Sequence, residues 1–335
     1  MSHLPALLTV SALALSGASF TTLSTTTSPS AAAAKPECIA ESTLGGARVM
    51  QGQSAKIDPN TLSQAQAAAM NRDLRQELRQ SPTGARVDTN RRIDVYFHVI
   101  TGNKKQGAAV GQGRGAVSNK RIRRQIDVMN KAFAGRTSPQ SHGTRFRFVL
   151  RDIDRTRNPR WYDHRIYDGR TGKAEKNMKR TLHRGNLRDL NIYTGVPSYR
   201  KFFLLGYARF PNEPVVRRDP RMDGVNLLTA SLPGGNIKGV GKRYSRGDTS
   251  THEVGHWLGL FHTFQDGCGR RNDFVTDTPA EARPQFFCNK KYDTCNAPGL
   301  DPVHNFMDYG TDGCLTQFTS GQSDRMRLTW RAYRR

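Results

Sequence analysis

The run His252-Glu253-Val254-Gly255-His256-Trp257-Leu258-Gly259-Leu260-Phe261-His262 constrains this chain more than any other stretch. Residues i and i+4 share one face of a helix, so His252 and His256 point at one place. Two imidazoles do not complete a catalytic zinc site, which takes three protein ligands and keeps a fourth position open. His262 follows His256 too far on to reach back along a straight helix. The chain must stop and turn, and Gly259 accepts the left-handed geometry that ends a helix. Glu253, next to the first ligand, is placed to hold a zinc-bound water and take its proton. The bland alternative is a solvated helix with incidental histidines. It leaves unexplained why three of the chain's nine histidines fall in this one run.

Downstream, Asp301-Pro302-Val303-His304-Asn305-Phe306-Met307-Asp308-Tyr309 supplies a Met-containing turn. A zinc motif followed by such a turn is the metzincin pattern. Together with the residues from Trp257 to Phe264, Asp277-Thr278-Pro279, Asp293-Thr294-Cys295 and Phe318-Thr319-Ser320-Gly321-Gln322, it resembles the pappalysin family of secreted metalloendopeptidases. The resemblance covers residues 93 to 331 and is densest from 248 to 326. It implies that His252, His256 and His262 bind zinc and that Glu253 is the general base in peptide-bond hydrolysis. Met307 then lies under the metal and Tyr309 assists beside it; the rival role for Tyr309 is packing against the turn. His304 reads as a hydrogen-bonding turn residue.

The fold expected is an α/β (α+β) metzincin-like zincin. An upper subdomain carries a mixed twisted sheet and helices, including the zinc helix. An irregular, disulfide-linked lower subdomain ends in a C-terminal helix. Residues 1–19 read as a secretory signal, because Leu4 to Ala18 is an apolar run with a small-residue exit, too short for a membrane span. The cut falls at any of several small residues up to about 35. Residues 36–90 read as a prosegment and 91–335 as the catalytic domain, divided into 91–262 and 263–335. In the prosegment, Asp58-Pro59 opens a helix bearing Met70, Leu74 and Leu78; its rival reading is a helix permanently docked on the catalytic domain. Strands are expected at 93–100, 146–153, 190–196, 205–210 and 225–230, and helices at 117–133, 173–184 and 322–333. His98 is a sheet residue. Asp248, Thr249 and Ser250 are the expected caps of the zinc helix. Strand 205–210 is the candidate edge that an extended substrate would pair with.

Five cysteines support export: Cys38, Cys268, Cys288, Cys295 and Cys314. Spacing alone leaves three pairings of the last four open, and a structural zinc cluster is disfavoured by the lack of any C-x-x-C pair. The resemblance implies Cys268–Cys295 and Cys288–Cys314. Cys38, left over and upstream of the catalytic domain, is a candidate latency ligand that holds the open zinc position; its rival is a free or intermolecular cysteine. Residues 263–314 hold eight acids and five bases, a balance of −3 within a chain of net charge +24. Oxygen-rich loops suit calcium, which pappalysin relatives bind, and Asp273, Asp277, Thr278 and Asp293 are the candidates. Solvated carboxylates are the alternative.

Asp312 lies shortly after Met307, where metzincins border the pocket for the residue on the amine side of the cut. A carboxylate there favours Arg or Lys; its rivals are a turn cap and a calcium ligand. The partners expected are protein or peptide substrates, with a non-specific anionic surface suggested by the charge. Basic residues are scattered without an aromatic platform, which argues against specific nucleic-acid binding. The alternative function class is a basic secreted binding protein on a protease fold. Loss of Glu253 or a zinc histidine would favour it, and none is lost.

Overall fold

The alternation around 93–100 resolves as strand β2, Arg91–Thr101, whose inward Ile93, Val95, Phe97 and Val99 are fully buried. In the computed structural model, residues 47–50, 62–80, 91–102, 115–166, 172–199, 202–237 and 241–334 are described. The chain divides into units 1–39 and 40–335, and the described residues all lie in the second. Strand β2 runs between two parallel neighbours, β3 (Phe146–Arg157) and β5 (Leu190–Gly195). Parallel pairs require crossovers, and helices Asn119–Phe133 and Lys173–Leu182 provide them. Strand β9 (Val225–Leu228) continues the parallel set beside β5, and β8 (Gly206–Ala208) reverses against β9. The order is β1-β8-β9-β5-β2-β3, where β1 is Ala47–Arg48 from the N-terminal extension. A small second sheet, built from β4 (Arg165–Ile166), β6 (Ser198–Tyr199) and β7 (Phe202–Phe203), carries no sequence signal beyond two-residue runs.

One core joins the sheet to the metal motif. Ile122, Ile126, Met129 and Phe133 from the first crossover helix pack with Phe97, Phe148, Val254, Trp257 and Met307. Each such side chain contributes roughly 1.5–3 kcal/mol on full burial, so the motif helix is fastened to the sheet by its own apolar face. His98 is a buried sheet residue, held between Asp154 and Asn191 and stacked on Tyr193.

The extension helix runs Gln64–Gln80. Asp58 and Pro59, expected to open it, lie outside the described residues. The visible start is a reciprocal pair, Ser63 with Gln66, in which each side chain accepts from the other's backbone N–H. This helix is docked on the C-terminal helix Ser320–Tyr333. Arg325 donates to Asn71 and the Tyr333 hydroxyl to Asp73, while Leu74 is buried. Between Trp257 and Ser320 the described chain forms no strand beyond one isolated bridge, and disulfides Cys268–Cys295 and Cys288–Cys314 tie it together.

Candidate active site

The motif helix is Asp248–Trp257. It ends in a Schellman turn: Gly259 N–H donates to His256 O at 2.8 Å and Leu260 N–H to Gly255 O at 3.0 Å. Gly259 has φ +88° there, and a Cβ would meet the Thr329 side chain at 2.5 Å. The turn sends the chain back, and Leu260 and His262 follow. The Nε2 atoms of His252, His256 and His262 then converge, each 3.1 Å from the other two. Among the described residues, this is the one group of three or more His, Cys, Asp or Glu side chains whose ligand atoms come together.

These contacts are not a hydrogen-bond ring. His252 Nδ1 lies 2.7 Å from Phe306 O, and His256 Nδ1 lies 2.7 Å from Leu260 O. Carbonyls only accept, so both Nδ1 atoms carry the proton and both Nε2 atoms present bare lone pairs. A proton on His262 could serve one of them, not both. Burial pushes all three imidazoles down in pKa, His256 to about 4, so they are neutral at neutral pH. Three neutral nitrogens facing one point fit a divalent cation, and an all-imidazole set suits zinc. The carbonyls of Phe306 and Leu260 are the outer partners that orient the rings.

The Met-turn lies beneath. A Cβ on Gly255 would meet Met307 Sδ at 2.4 Å, so only glycine lets the sulfur approach the helix under the histidines. Asn305 holds the turn by accepting from Met307 N–H, and Met307 O accepts from Thr263 N–H. Tyr309 is buried, its ring edge-on to His262 with centroids 4.9 Å apart. His304 donates to or accepts from no ligand set; its Nδ1 bonds Cys314 O at 2.7 Å, as a turn residue does.

Strand β8 passes directly over Glu253, whose Cγ would lie 2.9 Å from a Cβ on Gly206. Strand β1 pairs antiparallel with β8, Ala47 opposite Tyr207 and Arg48 opposite Gly206. Arg48 N–H donates to Glu253 Oε1 at 3.1 Å, and Arg48 O accepts from Leu205 N–H at 3.1 Å. The Arg48 guanidinium pairs with Asp312 Oδ1 at 2.8 Å with both side chains fully buried, and it also donates to Thr249 Oγ1 and Gly310 O. The Tyr244 ring lies 5.4 Å away. Sequence reasoning placed Asp312 here but missed Arg48, Thr249 and Tyr244. The one local signal was the small-residue context Gly45-Gly46-Ala47 before an arginine.

One expectation needs correction. Asp248, Thr249 and Ser250 do not cap the motif helix; the N-cap is Gly247, with φ +108° and no side-chain cap bond. The helix N-terminus is served from across the fold by Asp312, whose Oδ2 accepts from the N–H groups of Arg246 (2.7 Å) and Gly247 (3.0 Å). The loop from Asp312 therefore reaches those donors before any local side chain can. Of the calcium candidates, Asp273 and Thr278 lie together, the Thr278 side chain beside the Asp273 carboxyl. Asp277 accepts from Thr319 Oγ1 and Gly321 N–H at the start of the C-terminal helix, Asp293 is exposed, and Asp273 is buried with its carboxyl pushed up to about 7 by burial. The Thr278 backbone carbonyl accepts from Asn272. Cys38 lies outside the described residues.

Comparison with known proteins agrees with this geometry. Residues 240–330 match the family described as Pregnancy-associated plasma protein-A. Extracellular metalloprotease 1 of Coccidioides posadasii is 39% identical over 249 residues, covering 72% of this chain and 78% of that protein. An extracellular metalloprotease of Colletotrichum graminicola is 40% identical over 248 residues, covering 72% and 77%. Among solved structures, a Tannerella forsythia promirolysin mutant superposes with TM-score 0.59 at 27% identity, covering 79% of this chain and 86% of that one. Mature mirolysin in complex with a cleaved peptide gives 0.56 at 27% identity, covering 73% and 96%. None of the described helices is long and apolar enough to cross a membrane. With a metzincin fold, a convergent histidine triad and relatives of this identity and coverage, the chain belongs to the pappalysin family of secreted extracellular metalloproteases.

Proposed function

We propose that the enzyme cuts protein chains before Arg or Lys, with Asp312 selecting the residue on the amine side of the cut. The observation that carries this is Arg48 in the Asp312 pocket, its guanidinium also bonded to Thr249 and Gly310. Arg48 stands in for a substrate residue, its backbone nitrogen for the leaving amine and its guanidinium for the side chain to be recognised. A buried carboxylate facing a buried guanidinium through charge-assisted bonds discriminates against neutral side chains, because those leave the carboxylate unpaired.

His252, His256 and His262 are the residues that would hold zinc, which supplies carbonyl polarisation and a more acidic water. Glu253 is the general base. Its Oε1 lies within bonding distance of the amine-side nitrogen, the position from which a carboxylic acid hands a proton to a departing amine. Tyr309, next to His262, is proposed to steady the developing oxyanion, and Met307 forms the apolar floor. Cys38 is proposed as a thiolate that occupies the open metal position before processing, with residues 1–19 as signal and 36–90 as prosegment. Calcium is proposed for the lower subdomain, with Asp273, Asp277, Thr278 and Asp293 as candidate ligands, supported by buried oxygens there with no hydrogen-bond partner, Thr278 Oγ1, Glu281 Oε1 and Asp308 Oδ2. The charge of +24 supports salt-dependent retention on anionic polymers, without a specific nucleic-acid role.

The test is cleavage profiling on proteome-derived peptides, with and without a zinc chelator. Cuts clustered before Arg and Lys, lost on chelation, are expected. A profile dominated by cuts before apolar residues refutes the role of Asp312.

A further inference from the structure

We infer that Arg325, on the C-terminal helix, is a positioning residue of the metal centre: its Nε–H holds the turn that aims His256 and His262. The helix that carries His252 and His256 ends at Trp257, and the chain must reverse at once to bring in His262. A helix end leaves carbonyls without partners. Arg325 Nε donates to Gly259 O at 2.8 Å, and its guanidinium carbon lies 4.6 Å from the centre of the Phe261 ring. Leu260 stands between those two residues, so its backbone is held from both sides. Leu260 O is the acceptor that faces His256 Nδ1 at 2.7 Å, and His262 follows Phe261 directly. One side chain thus steadies the carbonyl that orients the His256 ring and the segment that delivers the third nitrogen. Arg325 acts through the backbone of the turn.

The surroundings of Arg325 argue that this bond is what keeps it there. The residue is 8% exposed. A buried guanidinium is expensive unless a carboxylate matches it. Arg334, at the end of the same helix, follows that pattern: it takes Trp257 O at 2.8 Å and pairs with the buried Asp223. Arg325 has a neutral amide instead, Asn71, whose Oδ1 accepts from Nη1 at 2.8 Å, and it makes no ion pair among the described residues. Burial pushes its pKa down to about 10, with the charge of Asp273 pulling the other way. Asn71 belongs to the extension helix Gln64–Gln80, so that helix helps to hold the guanidinium in place. The C-terminal helix also reaches the Met-turn, where Gln322 exchanges two hydrogen bonds with Asn305. It is a common frame for the turn under the histidines and the turn between them.

The test uses the full chain, stripped of metal, titrated with zinc against a chromophoric chelator and with cobalt(II) for its visible spectrum. Glutamine carries an amide nitrogen at the place of Arg325 Nε, so Arg325→Gln keeps the donor to Gly259 O without the charge. Lysine has a methylene at that place, so Arg325→Lys keeps a cation without the donor. Arg325→Ala keeps neither. Arg325→Ala and Arg325→Lys should loosen zinc by about ten- to a hundredfold, the usual effect of losing the outer support of a metal ligand, and change the cobalt spectrum. Arg325→Gln should keep the wild-type spectrum and stay within about threefold in zinc affinity, since a neutral donor still satisfies the carbonyl. Asn71→Ala should fall between wild type and Arg325→Ala, and wild-type binding there removes the extension helix from the account. Met178→Ala, in a separate core cluster, should lower the melting temperature with zinc affinity unchanged. Wild-type zinc binding in Arg325→Lys overturns the inference, because a cation alone would then suffice. A loss in Arg325→Gln as large as in Arg325→Ala also overturns it, as does an equal loss in Met178→Ala, which would make the effect one of global stability.

Discussion

Replacing Asp312 by Asn separates two jobs that one carboxylate performs. Its Oδ1 faces the guanidinium and its Oδ2 faces the backbone N–H groups of Arg246 and Gly247. Asparagine keeps one oxygen. Left on the helix side, where two donors need it, it turns the amide NH2 toward the arginine, and donor meets donor. The lost charge-assisted bond is worth about 1.5–3 kcal/mol. A buried cation left uncompensated brings the total to roughly 3–5 kcal/mol. At about 1.4 kcal/mol per tenfold, kcat/KM for peptides with Arg after the cut should fall by roughly two to three and a half powers of ten. Matched peptides with Leu at that position never used the charge and should change by no more than about threefold. The assay is the paired kcat/KM measurement, with zinc content and melting temperature recorded for both proteins. A fall of less than tenfold in the Arg-to-Leu preference, in a variant that keeps its metal and melts normally, refutes the reasoning.

Glu253→Gln should bind zinc stoichiometrically, since Glu253 is outside the histidine triad, yet lose at least about a thousandfold in turnover; metal analysis beside a peptide assay checks both halves. Gly259→Ala forces a side chain into a φ of +88° and against Thr329. It should cost roughly 2–4 kcal/mol of stability and lower zinc retention through His262, with Thr329→Ala restoring part of the melting temperature. Acid unfolding should draw on Glu175. Burial alone would raise its pKa, but the charges of Arg209 and Lys179 outweigh that and hold it at about 2, below its ordinary 4.5. Its contribution is thus present above pH 4.5 and lost as pH falls toward 2. Glu175→Gln should flatten the stability profile in that window, and an unchanged slope there counts against the ion cluster.

The catalytic centre was legible in the sequence because its geometry is local. Helical spacing brings His252 and His256 together, a glycine at the helix end returns the chain, and the whole construction fits in one run. The distance of Asp312 past Met307 drew attention to that carboxylate, which the structure pairs with Arg48. The occupied pocket was not. Arg48 meets Glu253 across 205 residues of chain, and a two-residue strand has no periodicity to read. The helix cap failed for a related reason. Local rules credit Asp248, Thr249 and Ser250, but a carboxylate from a distant loop reaches the same N–H groups. The four proposed calcium ligands rest on residue type in an acidic stretch. Composition says nothing of which oxygens converge, and Asp277 also accepts from Thr319 Oγ1 and Gly321 N–H at the start of the C-terminal helix.

The double attachment of Asp312 also bears on how such an enzyme can evolve. A specificity pocket whose charge is independent of the scaffold can drift to new substrates one substitution at a time. Here the residue proposed to read arginine also seats the N-terminus of the helix that carries two of the three motif histidines, so on that proposal a mutation that broadens preference simultaneously loosens the catalytic scaffold. The two traits are epistatic by construction. A lineage changing its preference must first acquire another acceptor for the Arg246 and Gly247 amides, and Asp248, immediately beside them, is the residue best placed to be recruited.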